Sequence, residues 1–122
     1  MTDDDRARRG LAKMNEVYGR ESGDYPGDFF AITRDHLFGD VWTRDGLSTA
    51  QRRLLLIGVL AAAGKHDILE IQLDSAFRLG ELDERALREI VIFLAHYVGW
   101  PTGATLNTQV ENLLAKYRTD GR

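Results

Sequence analysis

Long apolar runs divided by glycines set the pattern of this chain. The clearest runs from Glu89 to Pro101, E-I-V-I-F-L-A-H-Y-V-G-W-P, with His96 its one interruption before a Gly-Trp-Pro break. Counted back to Asp83 it is too long for an ordinary strand, so it predicts a buried helix capped by Asp83 and ended by Gly99. A second run, Leu54 to Ala63, is apolar or small at every position and predicts a helix buried on most sides. Gly58 and the alanines there allow close helix approach. Its start is marked by Ser48 and Gln51, spaced as a capping box, with Leu47 as the staple residue. Between the two runs, Ile68, Leu69, Ile71, Leu73, Ala76, Phe77 and Leu79 predict a mostly buried helix, capped by Asp67 and stopped by Gly80.

The flanks follow the same period. Leu11, Met14, Val17 and Tyr18 predict a first helix ending near Gly19, with acid then base at its start to suit the helix dipole. Pro26 opens a second helix, whose apolar side is Phe29, Phe30, Ile32, Thr33, Leu37 and Phe38 and whose end is expected near Gly39. Pro101 suits the first turn of a last helix with Leu106, Val110, Leu113, Leu114 and Tyr117 on one face. The tail Thr119 to Arg122 is expected to fray. The sum is an all-α chain of about six helices with no convincing strand. It reads as one domain over residues 1–122, with residues 1–25 as an N-terminal helical extension. A domain this small can hardly surround two helices apolar on all sides, so one surface of each is expected to meet another subunit.

Composition narrows the function classes. A hydrophobic content of 43% and a charged content of 29% are those of an ordinary globular protein. The net charge of −3 argues against a general nucleic-acid binder, which needs a basic face. No cysteine is present, which removes disulfides, thiolate metal sites and thiol redox chemistry. No stretch has the length of a membrane span, and no signal pattern opens the chain, so a cytoplasmic protein is expected.

L-S-T-A-Q-R-R-L-L-L-I-G-V-L-A-A-A-G, a helix ending S-A-F-R-L-G, and L-R-E-I-V-I-F-L-A-H-Y-V-G-W-P, in that order and preceded by F-G-D-V-W-T-R-D-G-L-S, resemble the carboxymuconolactone decarboxylase family. The resemblance covers about Phe38 to Leu114. It implies an all-helical bundle related to alkylhydroperoxidase D, normally oligomeric (a trimer or hexamer). Family members decarboxylate a lactone in aromatic-compound breakdown or reduce peroxides. Peroxidase relatives carry a glutamate at the position of Arg53, cysteines at those of Lys65 and Ile68, and a histidine at that of Gln72. All four are replaced, and without a thiolate that peroxidase route is excluded. Decarboxylase-like relatives commonly keep a glutamate and a histidine at the positions of Ile68 and Gln72, which are also absent. A histidine is frequent at the position of Phe93; here the histidine lies three residues on, at His96.

The candidate chemistry follows from what stands at those positions. Arg53 could hold a substrate carboxylate bidentately, or be a surface residue paired with an acid. Gln72 could hydrogen-bond a carbonyl. His96 is the candidate general acid or base, because imidazole as a class titrates near neutral pH; the plainer alternative is a buried, fully bonded imidazole. Ile68, Tyr97 and Trp100 are candidate substrate contacts, with core or interface roles as the alternative for the two aromatics. His66 with Glu70, and His36 with Asp35, lack a third ligand, so no metal or other cofactor is expected. The reading is a cofactor-free lyase acting on a small carboxylated or lactone metabolite. The alternative is a non-catalytic oligomeric scaffold or small-ligand binder that kept the fold and lost the site.

Overall fold

The computed structural model describes residues 2–119, and the expected fraying at 120–122 lies outside them. Six α-helices and one π-helical segment make up the described residues, with no strand among them. The α-helices are α1 (Asp3–Tyr18), α2 (Asp28–Ile32), α3 (Thr49–Ala62), α4 (His66–Arg78), α5 (Glu84–Val98) and α6 (Trp100–Thr119), and the π segment is Thr33–Val41. They fall into two compact units, one up to Arg52 and one from Arg53 onward.

In the first unit, Thr2 and Asp5 cap α1 reciprocally, and Gly19 ends it in the left-handed conformation at φ 68°. The π segment crosses α1 closely. A Cβ on Gly10 would lie 1.8 Å from the Arg34 carbonyl oxygen, and one on Gly39 would lie 3.1 Å from that of Arg6. The same crossing is tied by Arg6 and Arg9, which both reach Asp40 (2.6 and 2.8 Å). Phe38 stacks on Trp42 with centroids 5.8 Å apart, and Tyr18 lies 5.9 Å from Phe38. The second helix therefore does not stop at Gly39 but widens to i→i+5 bonding, as in Trp42 N–H to Leu37 O, and runs on to Val41. Its expected apolar side is only partly covered, since Phe29 and Ile32 are exposed.

In the second unit α3 from Arg53 onward and α4 to α6 share one core of Ile57, Leu60, Leu69, Leu73, Leu87, Val91, Leu106, Val110 and Tyr117, among others. Small residues set the approach of α5 and α6: a Cβ on Gly103 would lie 2.6 Å from the Ala95 Cβ. Ser48 and Gln51 form the expected reciprocal box at the start of α3 (3.1 and 2.9 Å), and Asp83 accepts from Ala86 N–H at 2.8 Å at the start of α5. The start of α4 differs from expectation. Its first helical residue is His66, Lys65 precedes it without a side-chain cap, and Asp67 lies inside the first turn. The two apolar runs are also less buried than their composition suggests. Leu55 and Val59 on α3, and Ile92, Phe93 and Tyr97 on α5, are each more than half exposed. Their inner faces supply the core, and the opposite faces stay apolar without cover in a single chain. No described helix is long and apolar enough to cross a membrane.

Candidate functional site

The helical period turns Arg53 inward. It shares its face of α3 with Ile57 and Leu60, one and two turns on, and none of its surface is exposed. Gln72 lies between Leu69 and Ala76 on the inner face of α4 and is likewise buried. The two meet there, Arg53 Nη1 donating to Gln72 Oε1 at 2.8 Å. The charge is balanced from the short connection after α4, where Gly80, at φ 77°, turns the chain and Glu81 folds back. Glu81 N–H donates to the Ala76 carbonyl at 2.9 Å. Arg53 Nε and Nη2 donate to the two carboxylate oxygens of Glu81 at 2.7 and 3.0 Å, a bidentate pair. The corner thus contains a cation, an amide and an anion inside an apolar helical unit. Arg53 is paired with an acid but is not the surface residue of the plainer expectation.

His96 is placed differently. It is exposed on α5 rather than buried, and its Nδ1–H donates to the Ile92 carbonyl at 2.7 Å. That bond fixes the proton on Nδ1 in the neutral ring and presents Nε2 as the basic nitrogen. The ring meets Trp100 edge-on, with centroids 5.9 Å apart. Tyr97 is exposed and lies 5.1 Å from Phe93, while Ile68 is half exposed beside Lys65, His66 and Asp67 at the head of α4. The candidate residues therefore form two groups: Arg53 with Gln72 inside, and His96 with Tyr97 exposed on α5 beside Trp100 at the start of α6. Ile68 belongs to neither.

Two clefts adjoin these groups. Leu54, Ile57, Glu89, Ile90, Phe93 and Leu94 line a pocket of about 330 Å³ between α3 and α5, with Glu89 as its one charged lining residue. A second, of about 320 Å³, lies between α5 and α6 and includes Trp100 and Asn107. Neither is lined by Arg53 or His96.

Sequence reasoning missed Glu81, whose only signal is an acid directly after the glycine that ends α4. It also missed Asp74 on α4, which accepts from the Tyr117 hydroxyl at 2.5 Å and pairs with Arg78 at 2.7 Å. Burial opposes ionisation of Asp74, but the Tyr117 and Arg78 bonds outweigh it and hold the carboxyl below the usual carboxylate range. This cluster ties α6 to α4 and touches neither cleft.

A helical chain with a buried cation where side chains of α3 and α4 meet is the class that fold and site define. Residues 27–107 match the model of the carboxymuconolactone decarboxylase family, and the chain belongs to that family. It is similar to the 4-carboxymuconolactone decarboxylase of Acinetobacter baylyi, at 31% identity over 109 residues that cover 83% of this chain and 81% of that protein.

Proposed function

We propose that the chain is a decarboxylase-like lyase that acts, without a bound cofactor, on a small carboxylated or lactone metabolite. The observation that carries this reading is the Arg53–Gln72 corner, a charged donor beside an amide within an apolar unit. Family membership and the similarity to a 4-carboxymuconolactone decarboxylase support it. In the proposed reaction Arg53 orients a substrate carboxylate and Gln72 donates to the carbonyl next to the carbon that loses CO2. The electron pair of the broken C–C bond passes into that carbonyl, where the donor stabilises the enolate. His96, protonated at Nε2 from solvent, gives that proton to the carbon, so that CO2 is replaced by hydrogen and the neutral ring is restored. The exposure of His96 and Tyr97 on α5, next to Trp100 at the start of α6, supports delivery of that proton from a neighbouring copy in a trimer or hexamer.

The test is CO2 release from a panel of carboxylated lactones and aromatic-catabolic acids. The wild type should turn over at least one of them. Arg53→Met and His96→Ala should each lose about 10²-fold or more of kcat/KM. A second reading has its own support, because Glu81 and Gln72 already engage Arg53. A non-catalytic scaffold or small-ligand binder would bind panel members, seen as thermal shifts, and release no CO2. No turnover and no shift across the panel would remove the lyase reading.

A further inference from the structure

We infer that the Arg53–Gln72 corner is a binding site for a small carboxylate, and that Glu81 occupies it in the resting chain as a tethered ligand. This deepens the lyase reading, since it states which group the substrate carboxylate displaces. The geometry is that of a carboxylate held side-on by a guanidinium: both Glu81 oxygens are engaged, at 2.7 and 3.0 Å, by Nε and Nη2. A free carboxylate can present the same two oxygens. The burial is asymmetric in a way that makes one partner replaceable. The Arg53 side chain is 0% exposed and that of Glu81 16%, so the anionic arm is the one that meets solvent.

The backbone agrees. Glu81 lies between α4 and α5, outside either helix, so its side chain can leave Arg53 without unwinding one. The loop is held instead by its own amides, Glu81 and Leu82 N–H both donating to the Ala76 carbonyl. Exchange of one carboxylate for another keeps the buried guanidinium neutralised. A neutral ligand or a cation in its place leaves an uncompensated internal charge, so the site selects anions. The bidentate fork further prefers a planar carboxylate to a monatomic anion, which cannot span both donors.

The experiment compares melting temperatures in sodium formate, sodium acetate and sodium chloride at matched ionic strength. Four chains are used: wild type, Glu81→Ala, Glu81→Gln, and the double variant Arg53→Met with Glu81→Leu. Glu81→Ala should melt below wild type in chloride and recover by roughly 3 °C or more in formate. Glu81→Gln keeps the side-chain volume and should recover less. The double variant, with no cation to serve, should melt alike in all three salts. The inference is overturned when neither single variant distinguishes formate from chloride, or when the double variant gains as much as they do. If Glu81→Ala does not fold in any salt, Glu81→Gln decides alone. Turnover is not read, so an inactive wild type with intact formate recovery removes only the lyase reading. Failed recovery with an active wild type removes only the tethered-ligand inference.

Discussion

At the residue scale the Arg53–Glu81 pair and the Asp74–Tyr117 bond make different demands on stability. Removal of one partner from a buried pair leaves the other charged and unsolvated, whereas removal of both in favour of apolar side chains is often neutral. Glu81→Ala should therefore cost about 3 kcal/mol in urea unfolding, and the double variant at Arg53 and Glu81 about 1 kcal/mol or less. Asp74 titrates lower in the folded chain than in the unfolded one. Its contribution is present above its ordinary value of 3.8 and is lost as the pH falls through its lower folded value. Tyr117→Phe removes the hydroxyl donor, so it should cost about 1 kcal/mol at neutral pH and shift acid unfolding, followed by circular dichroism, to higher pH. The family pattern put Arg53 and Gln72 among the candidate site positions, and the structure brings them together. Their partner was not legible, because periodicity reports which face a helical residue takes and not which loop carboxylate folds back onto it.

Elements were more legible where a local signal stands alone. The Ser48 box, the Asp83 cap and the glycine stops at Gly19, Gly80 and Gly99 need only neighbouring residues, and each is present. The head of α4 was misplaced because an acid in the first turn favours the helix dipole whether or not it caps. The extension through Gly39 was hidden for a different reason. Glycine reads as a stop in one helix, yet here it removes a side chain where α1 crosses. Substitution separates these roles. Gly10→Ala drives a Cβ into the Arg34 carbonyl and should destabilise by about 1–3 kcal/mol. Gly58→Ala, in the middle of α3 with open space at its Cβ, should raise the melting temperature through helix propensity, by up to about 1 kcal/mol. Thermal melts of the two variants check both signs.

At the scale of the whole molecule, apolar composition was read as burial, and that holds for one face of α3 and of α5. The other faces carry Leu55, Val59, Ile92, Phe93 and Tyr97 in the open, more apolar side chain than a lone soluble chain usually leaves in helices. Light scattering should therefore give a mass above the 13.8 kDa of one chain. Val59→Asp with Phe93→Asp should bring it down to the monomer. The placement of His96 apart from Arg53 makes a sharper demand. If the proton is delivered between copies, inactive Arg53→Met and His96→Ala chains, mixed through a dissociation step, should regain up to about a quarter of wild-type turnover. That fraction follows when one intact Arg53 must meet one intact His96 at random, and each is present in half the chains. No recovery after verified subunit exchange places both residues in one copy.

The π segment has one more consequence, for tolerance of length. A helix bonded i→i+5 winds more residues into each turn than an α-helix does, so Thr33–Val41 holds spare chain. Loss of one residue there can be absorbed by tightening to i→i+4, with the helix on either side kept in phase. The same loss in the middle of α5 would rotate every later side chain by about 100° and carry the core face of that helix into water. A chain lacking Leu37 should thus retain a cooperative melt, where one lacking Ile92 should not.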